Sequence, residues 1–142
     1  MRKLLVPFDN SENAVRALEY VLRLAKEKGP LDVTVVHVHE PPIDYGRVAA
    51  YLPADKIEEL QRQHSEELLK PAAEMAKAVG VPVTCKILIG DVANSIVECA
   101  ESAGCDGILM GTRGMSAIGN LVMGSVATKV IHLTKLPVTL IK

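Results

Sequence analysis

The chain alternates between short apolar runs and longer segments in which apolar residues recur every three or four positions. The short runs predict strands and occupy residues 4–8, 33–38, 83–89, 107–110 and 138–141. The first of them is continuously apolar, which is typical of a strand in a parallel sheet covered on both faces. The longer segments predict four helices between these five strands. The order βαβαβαβαβ predicts an α/β fold, a doubly wound parallel sheet with right-handed crossovers and helices on both faces.

Capping residues and helix breakers delimit the predicted helices. Ser11 can cap the first helix, which ends at Gly29. The other helices are expected at residues 54–79, 93–103 and 125–134. Pro71 falls inside the long helix, where a proline removes a hydrogen bond and clashes with the preceding turn, so we expect a kink or break near Lys70. Residues 39–53 contain three prolines and predict a long loop.

Size and composition restrict the class of protein. A chain of 142 residues forms one domain, expected to span residues 1–142. Hydrophobic residues make up 49% but aromatic residues only 3%, which predicts an aliphatic core. A net charge of −1 gives no electrostatic footprint for nucleic acid or an anionic membrane surface. Since no apolar stretch approaches the roughly 18 residues of a membrane span, a soluble, cytoplasmic protein is expected.

The cysteines give no sign of a disulfide framework. Cys85, Cys99 and Cys105 are odd in number and contain no C-x-x-C pair. Cys85 falls in a predicted strand and Cys99 in a predicted helix, both among apolar residues. The expectation is therefore reduced, packed thiols, with a redox role as the weaker alternative.

A glycine-rich segment carries the clearest chemical signal. Gly111-Thr112-Arg113-Gly114 directly follows the fourth apolar run, and Gly124-Ser125 comes nine residues later, at the start of the last predicted helix. Glycines at a strand-to-helix junction let main-chain N–H groups approach an anion, and the helix N-terminus adds partial positive charge. A tight surface loop is the alternative that these small residues leave open.

Two other phosphate-binding patterns are absent from the sequence. The glycine segment has no Gly-Lys-Ser/Thr ending, and the turn after the first strand contains no glycine. These absences favour a mononucleotide held mainly by the main chain. They also argue against fast hydrolysis, since no lysine or arginine clamp is evident for the transferred phosphate.

The spacing G-x2-G-x9-G-S resembles the nucleotide-binding signature of the universal stress protein family, in its ATP-binding branch. Further stretches resemble the family's strand ends and turns: residues 3–11, 36–38, 89–91 and 137–141. The resemblance covers essentially the whole chain. It implies an adenine nucleotide α-hydrolase-like fold with strand order 3-2-1-4-5, which sets the first and fourth strands side by side. Ligands in such sheets bind outside the carboxyl ends of the strands, where the winding reverses.

The resemblance also implies a binding site for ATP, with AMP or ADP as alternatives, and for Mg²⁺ carried by the phosphates. Its residues are Pro7, Phe8, Asp9, Val38, Met110, Gly111, Thr112, Arg113, Gly114, Gly124, Ser125 and Val126. Asp9 would accept a ribose hydroxyl or approach Mg²⁺ through water, although Asp9 can equally open an Asx turn. Val38 would offer main-chain groups to adenine beside Met110, although the residue types alone indicate core positions. No catalytic residue and no protein-held metal is predicted.

Two further groups of residues carry weaker signals. His37 and His39 point to the same side of the second strand, but no local third ligand completes a metal site, and His37 falls where the family has a structural histidine. Tyr45 and Tyr51 lie in the predicted long loop, as a lid over the crevice or as ordinary exposed residues.

The resemblance implies an ATP-binding regulatory protein of the stress response, with a protein partner that the sequence does not identify. A slow ATPase or nucleotide-handling enzyme on the same fold is one alternative, and a nucleotide-free dimerisation module is another. An apolar edge strand needs covering or pairing. The family's solution is a homodimer formed by pairing the last strand with its twofold copy. The edge residues would be Val138, Thr139, Leu140 and Ile141.

Overall fold

The computed structural model describes residues 2–41, 53–113 and 123–142, in which strands and helices alternate. The elements are β1 (Lys3–Pro7), α1 (Glu12–Lys28), β2 (Asp32–His39), α2 (Ala54–Val79), β3 (Val83–Ile89), α3 (Val92–Ser102), β4 (Gly107–Gly111), α4 (Ser125–Leu133) and β5 (Val138–Ile141). Each strand and helix predicted from the apolar pattern is present, and each boundary lies within one residue of the expected position.

The five strands form one parallel sheet in the order β3-β2-β1-β4-β5, which confirms the order implied by the resemblance. Central β1 pairs with β2 on one side, beginning at Lys3↔Asp32, and with β4 on the other, at Leu4↔Gly107. The chain segments that follow β1 and β4 therefore leave the sheet side by side at its carboxyl edge, where a doubly wound sheet binds its ligands.

Two aliphatic clusters fill the space between the sheet and its helices. Alternate residues of a strand point to opposite faces. Leu4 and Val6 accordingly lie in the cluster under α1 and α2, whereas Leu5 lies in the cluster under α3 and α4. We refer to these as the α1–α2 cluster and the α3–α4 cluster. Phe8 is the only phenylalanine in the chain and is buried, so the core is aliphatic, as the composition predicts.

Helix α2 runs without a break from Ala54 to Val79, with Pro71 in its interior. Of the two expected outcomes at this proline, the break is therefore wrong, and the kink stays a prediction. The buried face of α2, with Leu69, Ala72 and Ala76, packs in the α1–α2 cluster on both sides of the proline. We attribute the continuity to this packing, which offsets the main-chain hydrogen bond that Pro71 cannot donate.

The cysteines are all free thiols, but they differ in exposure. Cys105 is buried and Cys99 is half-buried, whereas Cys85 is exposed, so its expected packing among apolar residues is wrong. The reason is topological, because β3 forms an edge of the sheet and its neighbours Thr84 and Lys86 are exposed as well. Of the helices within the described ranges, none combines the length and apolar character needed to cross a membrane.

Candidate functional site

The crevice at the carboxyl edge begins with the turn that follows β1. Phe8 extends the pairing with β2, because its N–H donates to the Val36 carbonyl at 2.8 Å. Its side chain is 2% exposed and belongs to the α1–α2 cluster. Pro7 is half-buried at the end of β1. Because the Phe8 side chain is buried, this predicted site residue can contact a ligand only through its main chain.

Asp9 opens an Asx turn into α1. Its Oδ1 accepts the main-chain N–H of Ser11 at 3.0 Å, and Asn10 between them has a left-handed φ of 61°. The hydroxyl of Ser11 in turn accepts the N–H of Ala14 at 3.2 Å, so the predicted N-cap role of Ser11 is confirmed. The carboxylate of Asp9 is thus held at the crevice, half-buried, by the turn it forms.

His37 fixes the main chain just before this turn. Its Nδ1 lies 2.9 Å from the carbonyl oxygen of Phe8, and the imidazole is buried. A carbonyl oxygen can only accept, so the proton lies on Nδ1. The Nδ1 of His39 lies 2.8 Å from Oγ of Ser65 on α2, and the two rings are 6.5 Å apart. Both Nδ1 atoms are therefore engaged by the protein itself, which gives the two histidines structural roles.

Val38 and Met110 are the last buried residues of β2 and β4. They are 8% and 5% exposed, and both belong to the α3–α4 cluster. Their side chains occupy the core positions that their residue types indicate. Only an exposed edge or the main-chain groups of these residues can meet a ligand at the crevice.

Gly111 lies against the first turn of α1. A Cβ built at this position would stand 2.8 Å from Cβ and 2.9 Å from the carbonyl carbon of Asn13, closer than real side chains approach. The φ of Gly111 is not positive, so the constraint is space rather than backbone conformation. The structure therefore gives this glycine a packing role. The sequence pattern had instead explained the glycine by the approach of a phosphate.

The segment after β4 connects the sheet to the start of α4. The carbonyl of Thr112 accepts the N–H of Gly124 at 2.6 Å, and the N–H of Thr112 donates to Ile141 on β5 at 3.0 Å. Gly124 is the N-cap of α4, and no side chain in the described ranges caps this helix. The first N–H groups of α4 are thus presented at the carboxyl edge with the positive end of the helix dipole.

The remaining predicted residues lie around this helix start. Ser125 is exposed and Val126 is half-buried in the first turn of α4, and Arg113 is exposed at the end of the β4 segment. Gly114, Tyr45 and Tyr51 lie outside the described residues. The main addition to the predicted set is Asn13, as a contact of the segment after β4, and the structural role that the resemblance implied for His37 is confirmed by its contact with Phe8.

Comparison with known proteins identifies the family. The model of the universal stress protein family matches residues 1–142. The universal stress protein MJ0531 of Methanocaldococcus jannaschii is 33% identical over 145 residues, a match that covers 99% of this chain and 82% of that protein.

Two solved structures superimpose on nearly the entire chain. MJ0577 of the same archaeon is 27% identical with a TM-score of 0.85, over 99% of this chain and 95% of that one. A universal stress protein of Archaeoglobus fulgidus in complex with dAMP is 25% identical with a TM-score of 0.67, over 100% and 98%. With the family model matched from end to end and the fold shared with solved members, this chain belongs to the universal stress protein family.

Proposed function

We propose that this chain binds ATP with Mg²⁺ in the crevice between β1 and β4, and that the nucleotide regulates a dimeric stress-response module in the cytoplasm. The observation that carries the proposal is the start of α4. Within the residues that the structure describes, no side chain caps its first turn. The hydrogen bond from the Gly124 N–H to the Thr112 carbonyl joins this turn to the end of β4. A helix N-terminus of this kind is a ready site for phosphate.

The phosphates would lie against the first turn of α4. Gly124 has an extended backbone, with φ −76° and ψ 165°, and has no side chain that could shield the first N–H groups of the helix. Ser125 is exposed and adds a hydroxyl to the main-chain donors. Arg113, also exposed, supplies a cation at the end of the β4 segment.

The nucleoside would lie nearer to β1 and β2. Asp9 would accept a ribose hydroxyl or reach Mg²⁺ through water, and the end of β2 at Val38 would offer main-chain groups to adenine. The A. fulgidus relative that binds dAMP supports an adenine nucleotide as the class of ligand. Adenine should be preferred to guanine, because the exocyclic groups of guanine reverse donor and acceptor and unpaired buried polar groups cost about 1–3 kcal/mol each. AMP and ADP are the competing ligands.

The test is calorimetric titration of ATP into nucleotide-free protein, after mass spectrometry of any nucleotide released on purification. We expect Gly124→Val to weaken ATP binding at least about tenfold, because its side chain occupies the space in front of the α4 N–H groups. Gly114→Val should act in the same way. Lys129→Val, at an exposed position of α4, introduces the same side chain and is the control. Equal affinity of parent and Gly124→Val for ATP would place the phosphates elsewhere.

The dimer is proposed to form through β5. The sheet has two edges, β3 and β5. β3 carries the exposed Lys86 in its middle, a charge that protects an edge strand from pairing. β5 (Val138–Ile141) has no charged side chain, and each of its residues is half-buried. The contrast favours β5 as the edge that pairs with a second copy.

A further inference from the structure

We propose that Asn13 is a positioning residue of the nucleotide site, which fixes the segment after β4 relative to α1. The inference rests on the proposed function, because it concerns the same cradle. Asn13 is a polar residue in the first turn of α1, yet only 7% of it is exposed. A helix surface normally turns an amide to water. The burial of this one therefore calls for a partner inside the protein.

That partner is Thr112. Nδ2 of Asn13 lies 3.4 Å from Oγ1 of Thr112, a long hydrogen bond between residues 99 positions apart. Thr112 is only 6% exposed, so the bond is formed away from water. Nδ2 can only donate, so the hydroxyl oxygen of Thr112 is the acceptor.

The main chain of Asn13 contacts the preceding residue of the same segment. The carbonyl carbon and oxygen of Asn13 would lie 2.9 Å and 3.0 Å from a Cβ at Gly111. Asn13 thus touches two consecutive residues of the glycine segment, one by packing and the next by a hydrogen bond. The end of β4 is held in both distance and orientation relative to α1.

The same threonine holds the start of α4. Its carbonyl accepts the N–H of Gly124 at 2.6 Å, so Asn13 is connected through Thr112 to the helix terminus proposed to bind phosphate. A displacement of Thr112 would move Gly124 with it. Because a ligand held by main-chain donors depends on sub-ångström placement, loss of the Asn13 amide should reduce nucleotide affinity without any direct contact to the ligand.

The experiment compares ATP affinity and unfolding stability for a set of variants. Asn13→Ala and Thr112→Val should each weaken ATP binding about threefold to tenfold, and the double variant should be no weaker than the worse single one, since both remove the same contact. Thr112→Ser, which keeps the hydroxyl, should bind ATP more tightly than Thr112→Val. The control is Asn94→Ala, an exposed asparagine in the first turn of α3, which should bind like the parent.

The outcomes separate this inference from the proposed function. A parent protein that fails to bind ATP in calorimetry overturns the proposed function. A parent that binds ATP, with Asn13→Ala binding equally well at reduced stability, overturns the positioning role alone. Fully additive losses in the double variant do the same. If Asn13→Ala does not fold, equal ATP affinities of Thr112→Val and Thr112→Ser overturn the role.

Discussion

At the scale of single residues, Gly111 has a role that its place in the glycine spacing conceals. We predict that Gly111→Ala lowers the free energy of unfolding by about 1–3 kcal/mol, because the new methyl group overlaps main-chain atoms of Asn13 that cannot give way. Chemical denaturation of nucleotide-free protein measures this loss. A Gly111→Ala variant of parental stability with weakened ATP binding would instead make the residue a pure ligand contact.

His37 provides the second prediction at this scale. His37→Leu removes the Nδ1 donor and leaves the carbonyl of Phe8 without it, which should cost about 1–3 kcal/mol of unfolding free energy. His37→Asn keeps an N–H donor near the position of Nδ1 and should lose less. Urea denaturation of both variants decides the question. Equal losses would assign the effect to packing rather than to the hydrogen bond.

The contacts that the sequence predicted and those that it missed differ in the number of residues that separate the two partners along the chain. Ser11 and Asp9 act on groups two or three residues away, and local pattern predicts such capping and turn contacts. Asn13 meets Thr112 across 99 residues, and His37 meets Phe8 across 29. These contacts depend on which strands are neighbours. Hydrophobic periodicity carries no information about that. The structural role of His37 was implied by the family resemblance alone, and the role of Asn13 required the structure.

At the scale of elements, α2 keeps a proline within a continuous helix, and this should reduce stability. We predict that Pro71→Ala raises the free energy of unfolding by about 1–3 kcal/mol, because it restores a main-chain donor and removes the clash with the preceding turn. Lys70→Ala, at the exposed neighbour, is the control and should change little. Thermal or chemical denaturation measures both. A destabilised Pro71→Ala would show that the proline is packed to the benefit of the fold.

The contact between β2 and α2 should make stability depend on pH. Burial lowers the pKa of His39 below 6.5, with further lowering from the nearby His37 and His64. The unfolded chain therefore binds the His39 proton at a higher pH than the folded protein does. Stability should consequently be lost as the pH falls below about 6.5.

The variant His39→Gln tests this prediction. It should show a smaller fall in unfolding free energy than the parent when the pH is lowered from neutral toward 5.5, because one group that takes up a proton on unfolding is gone. His132→Gln, at an exposed histidine of α4, is the control and should follow the parent. An unchanged pH profile in His39→Gln would mean that other groups carry the dependence.

The elements themselves were predictable because apolar spacing reports directly on burial. The continuous runs of β1 and β4 match strands that are buried on both faces. Two features departed from expectation for reasons of tertiary structure. Helix α2 continues through Pro71 because its packing against the core stabilises it, and Cys85 is exposed because β3 has a neighbouring strand on one side only. Strand order came from the family resemblance, since periodicity cannot order strands within a sheet.

At the scale of the whole molecule, the register of β5 defines which groups are available to a second copy. The carbonyls of Pro137 and Ile141 accept N–H groups of the β4 segment, at 2.9 Å from Ile108 and 3.0 Å from Thr112. Main-chain groups alternate in direction along a strand. The N–H of Leu140 therefore points away from β4, toward the open edge.

We predict that Leu140→Pro weakens the proposed dimer at least about tenfold while leaving the β4–β5 pairing in place, because the removed donor faces the partner. Thr139→Pro removes a donor on the opposite side and should destabilise the monomer instead. Sedimentation measures the dimer, and denaturation measures the monomer. A parent protein that sediments as a monomer at micromolar concentration would contradict pairing through β5.

The place of β1 in the middle of the sheet has a consequence for synthesis. The carboxylate of Asp106 accepts the main-chain N–H groups of Arg2 and Lys3, at 2.7 Å and 2.8 Å, so the start of β1 is anchored to a residue 103 positions later in the chain. A chain leaving the ribosome can pair β1 with β2 early, but the other side of β1 stays open until β4 has emerged. During that interval Leu5, which is fully buried in the finished protein, lacks β4 and α4. The nascent chain therefore exposes an apolar central strand, a surface that molecular chaperones bind.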